Sequence, residues 1–241
     1  LCIGALCASV LGASAQIVEF RATINAAQEN NAANTSPATG SAIMHYNFAN
    51  NTFDLMISIT GMTNVATASH IHEAAAGANG PVVTNLGGEA VYTRTGSTLT
   101  ATFYAVRHLG TPLTLLQSGA YFNIHSAQYP GGEVRGQLIP RPVRMVANLD
   151  TAQEQAAMPN VNLNGVTNFG GAIMIYNPVA NTISLRHSLF NFTNTFSNSH
   201  IHEGTANPTV SGPVRTNLGN NATTGGYSST NGYIAGAHDV A

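Results

Sequence analysis

Hydrophobic and polar residues alternate with a period of two over much of the first half of the chain, in short segments bounded by Gly, Asn or Pro. Alternation of this kind places every second side chain on the same face of a β-strand. It predicts strands at residues 41–48, 52–60, 69–73, 98–106, 120–126 and 133–139, and one helical turn at 111–117. Asn50 and Asn51 predict a hairpin turn between two of these strands, because Asn tolerates a positive φ.

The first fifteen residues do not share this pattern. Residues 1–11 form an apolar run that is shorter than the roughly 20 residues needed to span a bilayer, and small residues follow at 12–15 in a form that export peptidases accept. We therefore predict a signal peptide at residues 1–15, clipped at its start because no Met or positively charged stretch precedes the run. Cys2 and Cys7 lie inside it, so the mature chain is expected to lack thiol chemistry.

The rest of the chain repeats itself. The motifs A-I-M-x-Y-N and H-I-H-E each occur twice, and A-Q-E recurs upstream of them with a slightly different spacing. Islands of identity separated by small length differences indicate duplicated domains whose loops have changed. We predict two tandem domains, at residues 16–140 and 141–241, with the second truncated at its carboxyl end. The fold class expected is all-β, with two antiparallel β-sandwich or Greek-key domains of superoxide dismutase-like or immunoglobulin-like type, the second incomplete.

Composition narrows the classes of function. Only 7% of the 241 residues are charged, against a usual ~25%, and the formal net charge is −2. The eight positively charged side chains are all Arg, so the chain has no basic field that would hold nucleic acid or an anionic membrane. An apolar fraction of 44% and 24 Gly residues fit an extracellular all-β protein with a buried core.

Histidines carry the candidate chemistry. His70 and His72 are two residues apart on a predicted strand, so both imidazoles face one side of it while Ile71 faces the other. The same alternation gives His125 a position on one face of the strand at 120–126. Three neutral imidazoles from two strands are enough to hold a Cu or Zn ion with an open coordination position.

The repeat extends this set to the second domain. The candidate metal ligands are His70, His72, His125, His200 and His202, and the acids expected to orient their imidazoles are Glu73, Glu133 and Glu203. An alternative interpretation is that these histidines only form hydrogen bonds with a neighbouring loop. Glu133 and Arg135 lie on one face and are expected to form an ion pair, with each other or across strands, that fixes the last strand. Among the histidines outside the set, we expect His108, His187 and His238 to lie at the surface or in loops, and His45 is a weaker candidate because its counterpart in the repeat is Ile175.

A family resemblance rests on these same residues. The H-I-H-E motif followed by N-G-P-V-V, and the later run Y-F-N-I-H-S-A-Q-Y-P-G-G-E-V-R-G-Q-L, closely resemble the CHRD domain, first described in chordin and common in exported bacterial proteins. The resemblance covers residues 16–140 with both motifs, whereas the second copy has only the first motif. It implies an extracellular β-sandwich module, often in tandem, and it supplies no activity.

A weaker resemblance is to the Cu,Zn superoxide dismutases, whose copper-binding strand carries an H-x-H-E-like stretch before a Gly-Pro turn. It implies that His70 and His72, with their equivalents in the second domain, are copper ligands. Val82 and Val214 stand where the dismutase pattern has a histidine after Gly-Pro. The zinc ligands and the cysteine pair of that family also find no match.

Two hypotheses about function follow. The first is an exported, non-enzymatic tandem CHRD protein that acts as an extracellular binding or structural module, with one copper-type ion per domain and an extracellular protein or a second copy of itself as partner. It would be secreted or held at the cell surface, with no transmembrane span in the mature chain. The alternative is a copper-dependent oxidoreductase of dismutase-like type. The sequence contains no nucleophile elbow, phosphate loop, paired-carboxylate motif or CxxC, which favours the first.

Overall fold

The structure is a computed structural model that describes residues 17–151, 167–191, 198–202, 213–219, 227–230 and 233–240. The predicted signal peptide and Glu203 lie outside these residues. Almost all of the regular structure consists of antiparallel strands, which confirms the all-β prediction. The chain divides between Arg141 and Pro142 into two compact units, each described here by itself.

The first unit is a curled antiparallel sheet. Its strands follow the order β5-β4-β8-β9-β1-β2-β3-β7-β6, with β10 beside β1, and one short helix, α1 (Pro112–Leu116), precedes β8. The strands are β1 Ile17–Asn25, β2 Thr39–Asn47, β3 Thr52–Thr60, β4 Ala66–Glu73, β5 Val82–Asn85, β6 Thr93–Thr95, β7 Thr98–Arg107, β8 Ala120–Ser126, β9 Val134–Gln137 and β10 Ile139–Pro140. The order makes β4 and β8 neighbours although nearly 50 residues separate them in sequence.

Alternating residues of these strands form the core of the first unit. The inward positions of β1 and β3 are apolar and almost fully buried, and they are Val18, Phe20, Ala22, Ile24, Phe53, Leu55, Ile57 and Ile59. Burial of a large apolar side chain contributes roughly 1.5–3 kcal/mol relative to its exposure. The predicted hairpin turn is confirmed, since Asn51 has a φ of 58° and its side-chain oxygen accepts a hydrogen bond from the Tyr46 hydroxyl.

The second unit contains a five-stranded sheet in the order β11-β12-β13-β17-β16 and a separate pair of strands, β14 and β15. The strands are β11 Val143–Asp150, β12 Phe169–Asn177, β13 Thr182–Phe190, β14 Ser199–His202, β15 Val214–Gly219, β16 Tyr227–Thr230 and β17 Tyr233–Val240. The hairpin of β12 and β13 turns at Asn181, with a φ of 53°, just as the hairpin of β2 and β3 turns at Asn51.

Of the three histidines expected at the surface or in loops, His108 lies in the loop after β7 and is buried there, whereas His187 and His238 are buried in strands. Their exposed fractions are 0%, 4% and 8%. His187 is buried because it occupies an inward position of β13, two residues from the buried Leu185. Its imidazole stacks on that of His238 from the adjacent strand β17, with ring centroids 5.5 Å apart and planes within 8°.

Candidate metal centre

The three candidate ligands of the first unit lie on one face of two neighbouring strands. In the antiparallel pair of β4 and β8, His70 is opposite Asn123 and Ala68 is opposite His125, so His125 is the diagonal neighbour of His70. One potential ligand nitrogen from each of the three imidazoles lies within 4.8 Å of the other two. Within the described ranges, this is the one group of three or more His, Cys, Asp or Glu side chains whose ligand atoms converge in this way.

The distances suit one small ion. His70 Nδ1 and His125 Nε2 are 3.1 Å apart, and the ring centroids of His70 and His72 are 5.5 Å apart. Two nitrogens that each lie about 2.0–2.1 Å from a shared Cu or Zn ion are separated by roughly 3 Å. An ion at this point would replace the hydrogen bond between His70 and His125, and the shared proton would move to the outer nitrogen of His70.

Backbone carbonyls fix the orientation of two of the rings. His72 Nδ1 lies 2.9 Å from the Gly80 carbonyl oxygen, and His125 Nδ1 lies 2.9 Å from the Pro130 carbonyl oxygen. Because a carbonyl can only accept, each Nδ1 carries the proton and each Nε2 keeps its lone pair. The rings therefore bind neighbouring loops through one nitrogen, as the alternative interpretation expected, and still present the other nitrogen to a ligand.

Burial keeps His70 and His72 neutral. Together with the smaller effects of the charges of His125 and His72, burial lowers the pKa of His70 to about 4. Burial also lowers the pKa of His72, although the hydrogen bond to Gly80 opposes this effect and the charges of His125 and Arg135 add to it. Neutral imidazole is the form that binds metal ions. The Nε2 atom of His72 is buried without a hydrogen-bond partner among the described residues, so an ion would satisfy it.

The His72 ring is the end of a stacked column of three planar groups, formed by His72, Tyr121 and Arg135. The Tyr121 ring is nearly parallel to the His72 ring, at 6° with centroids 4.8 Å apart, and the guanidinium carbon of Arg135 lies 3.7 Å from the Tyr121 centroid. Two planar groups at these distances cannot share one face of a phenol ring, so the Tyr121 ring lies between them. This packing limits the rotation of the His72 imidazole.

A loop closes on this column at Gly80. The Gly80 amide donates to the Tyr121 hydroxyl at 3.2 Å while its carbonyl accepts from His72. A Cβ atom at Gly80 would lie 1.9 Å from the Glu73 carbonyl oxygen, so only glycine allows this close approach. The small residue of the Asn79-Gly80-Pro81 turn thereby holds two side chains of the site.

Glu73 does not orient the cluster, and this corrects the expectation drawn from the sequence. Strand alternation places Glu73 on the face opposite His72, where its carboxylate accepts from the Thr111 amide and lies 3.8 Å from His108 Nε2. The other nitrogen of His108 is 3.4 Å from the Thr84 hydroxyl. Glu73 is thus part of a polar group on the core side of the sheet.

Glu133 is also placed elsewhere. Its carboxylate is buried and accepts from the Ser36 hydroxyl at 2.9 Å and from the Asn64 amide at 3.1 Å. Arg135 donates instead to the Asn79 side chain and the Ala78 carbonyl, so the expected ion pair between Glu133 and Arg135 does not form. The imidazoles are oriented by backbone carbonyls instead of by these acids, and a sequence motif does not reveal which carbonyls accept.

Glu29 is a residue near the site that the sequence analysis did not select. Its carboxylate accepts a hydrogen bond from the side-chain amide of Asn123 at 2.5 Å. Asn123 is the residue of β8 that lies opposite His70. Burial raises the pKa of Glu29 to about 7, against the opposing effects of the Arg135 charge and the Asn123 hydrogen bond. Glu29 is the last residue of the first copy of the repeated A-Q-E motif, and this repetition is the sequence signal that could have identified it.

The second unit repeats the two-histidine part of the site. His200 and His202 lie in β14 opposite Asn217 and Val214, with the same irregularity in register that His70 and His72 show opposite Asn85 and Val82. Their ring centroids are 5.7 Å apart. Among the residues that the structure describes, no third ligand converges on this pair.

Comparison with known proteins gives one match. Residues 20–138, just under half of the chain, match the family model of the CHRD domain, which supports the resemblance seen in the sequence of the first unit. The matched region includes all three convergent imidazoles. No curated protein and no solved structure matches the chain. The described residues contain no helix that is both long and apolar enough to cross a membrane.

Proposed function

Starting from a CHRD domain at residues 20–138, we propose that this protein is an extracellular binding or structural module whose first unit holds one copper-type metal ion. The observation that carries the metal site is the convergence of His70, His72 and His125 within 4.8 Å. Export is supported by the apolar leader at residues 1–15 and by the extracellular role that the CHRD resemblance implies. The repeated H-I-H-E motif supports a tandem arrangement.

The chemistry of the donors supports copper or zinc. Imidazole nitrogen is a preferred donor for both ions, while the hard ions Ca²⁺ and Mg²⁺ prefer oxygen. Two of the three rings have their metal-binding nitrogen selected by a hydrogen bond at the other nitrogen, as is usual in protein metal sites. The ion would be held between β4 and β8 and would tie the two strands together on that face.

The surroundings of the three imidazoles favour binding of a metal ion over catalysis at that ion. Glu73, the acid next to His72 in sequence, faces the core side of the sheet, so it is not available to move protons at the ion. One observation favours the alternative, a copper-dependent oxidoreductase: three ligands leave a coordination position open to an external molecule. A superoxide dismutation assay on the copper-loaded protein distinguishes the two functions, and we expect it to show no turnover.

The direct test is metal binding by the purified full chain. We expect titration with CuSO₄ or ZnSO₄ to give one tight equivalent by calorimetry and elemental analysis, and His72→Ala to abolish it. The matched control is His45→Ala, because His45 is a partly exposed histidine on β2, which pairs with β1 and β3 and not with the strands of the cluster. Its Nε2 atom lies 3.6 Å from the Glu19 carboxylate. Absence of a tight equivalent in the intact protein, or equal binding by both variants, would contradict the proposal.

A further inference from the structure

A buried positive charge lies close to the three imidazoles. Arg135 is 1% exposed, and the two stacking distances place its guanidinium carbon at most about 8.5 Å from the centre of the His72 ring. The Tyr121 ring fills the space between them, so water does not screen the charge along this line. A metal ion bound at His72 would therefore experience the field of Arg135.

Little around Arg135 neutralises this charge. Its guanidinium donates to the Asn79 side chain at 3.2 Å and to the Ala78 carbonyl at 3.0 Å, and both acceptors are neutral. Glu29 is an acid whose pKa the Arg135 charge lowers, but burial raises that pKa to about 7, so the carboxyl group is mostly protonated at pH 6. At that pH the field at the site is thus positive.

The ligands themselves add no negative charge. The convergent group consists of three imidazoles, without a carboxylate or thiolate. An ion that binds there keeps its full charge, and the repulsion from Arg135 grows in proportion to that charge. An ion on a ring nitrogen would lie about 3 Å from the centre of the His72 ring, so at most about 11.5 Å from the guanidinium carbon. At that separation and an effective dielectric constant of about 20, one extra unit of charge corresponds to a factor of about ten in affinity.

We propose that the site selects monovalent copper, Cu(I), over the divalent ions Cu(II) and Zn(II), and that Arg135 determines this selectivity. The inference rests on the proposed function, since it names the ion that the same site holds. The monovalent ions Na⁺ and K⁺ do not compete, because they prefer oxygen donors, whereas imidazole suits copper in this arrangement. Arg135 acts through space, without contacting the ion.

The test compares affinities for two ions in matched variants. Cu(I), generated from CuSO₄ with ascorbate, is measured by competition with bicinchoninate, and Zn(II) by competition with a chromophoric chelator, both at pH 6, where Glu29 is mostly protonated. We expect Arg135→Gln to lower the ratio of Cu(I) to Zn(II) affinity about tenfold, and Arg135→Lys, which keeps the charge, to retain the wild-type ratio within about threefold. A folded Arg135→Gln variant with an unchanged ratio would overturn the selectivity while leaving the metal site intact.

A second variant leaves the stacked column in place. At pH 8, where Glu29 is ionised, Glu29→Gln removes a negative charge, so we expect it to change the ratio in the opposite direction, toward Cu(I). If Arg135→Gln does not fold, an unchanged or falling ratio in Glu29→Gln at pH 8 overturns the inference. Wild-type protein that binds neither ion contradicts the proposed function, and wild-type protein that binds Zn(II) more tightly than Cu(I) at pH 6 contradicts only the inference.

Discussion

The two H-I-H strands of this chain are locally alike and differ in what lies beside them. In β4 and in β14 the paired imidazoles are 5.5 and 5.7 Å apart, and both strands have the same register and irregularity against the following strand. In the first unit, β8 adds His125 to the pair, while in the described part of the second unit no third ligand joins it. The motif therefore fixes two donors, and in the first unit the pairing of β4 with β8 makes them part of a three-ligand group.

The largest effect should come from removing the residue that distinguishes the two strands. We expect His125→Ala to reduce the site of the first unit to a two-histidine pair and to weaken its metal affinity by at least about 100-fold, measured by chelator competition. His200→Ala is the matched change in the second unit, and we expect it to leave the tight equivalent within about twofold. Equal losses in the two variants would show that the pairs do not differ as the structure indicates.

A smaller effect should follow from disturbing the loop that orients His72. Gly80→Ala introduces a Cβ that would lie 1.9 Å from the Glu73 carbonyl oxygen, so the loop must move and the hydrogen bond to His72 Nδ1 is lost. We expect a loss of affinity of about tenfold, the scale of changes at groups that orient ligands. Gly131→Ala is the control, because nothing lies within 4 Å of the added atom, and it should bind metal like the wild type.

The smallest effect concerns stability and pH in the first unit. The pKa of Glu29 is about 7 in the folded chain against an ordinary 4.5, so the unfolded chain releases this proton first and stability falls as pH rises from 4.5 to about 7. The lowered pKa of His70, about 4, acts in the opposite direction and removes stability as pH falls from 6.5 to about 4. The two ranges overlap between about pH 4.5 and 6.5, where the opposing effects of the two groups on stability largely cancel.

Glu29→Gln isolates the acidic group. Since the variant cannot ionise there, we expect it to be more stable than the wild type at pH 8 by about 1 kcal/mol, once solvent screening at this half-buried position is allowed for. At pH 4 the two proteins should unfold alike, because Glu29 is then protonated in the wild type as well. Urea unfolding at both pH values measures this, and a variant that is less stable at pH 8 would show that the attraction between the Glu29 carboxylate and the Arg135 charge dominates instead.

The strands could be predicted where hydrophobic and polar residues alternate over a long segment. The predicted strands at residues 52–60 and 120–126 have the same bounds as β3 and β8, and the helical turn lies within the predicted segment. The prediction did not include β1, β5 and β6. The last two are only four and three residues long, too short to show a period. It placed the strand after β8 one residue too early and did not anticipate its division into β9 and β10.

Much of the site could be derived from alternation, and the rest could not. Period two placed His70 and His72 on one face of their strand and His125 on one face of another, and the pairing of β4 with β8 makes these the same face of the sheet. The same rule, applied one residue further, would have turned Glu73 to the other face. The partners of the Nδ1 atoms are carbonyls of Gly80 and Pro130, which any residue type supplies, so no residue pattern reports them. The position of Arg135 over Tyr121 depends on the pairing of β8 with β9, which is a property of the folded sheet.

The convergence of three imidazoles on one ion is tested most directly by X-ray absorption spectroscopy of the full chain loaded with one equivalent of copper. Multiple scattering from imidazole rings reports how many rings bind the ion, and the first-shell distance reports the donor atoms. We expect three imidazoles at about 2.0–2.1 Å in the wild type and a loss of one in His125→Ala. A first shell of oxygen donors, or a spectrum that His125→Ala leaves unchanged, would contradict the site described here.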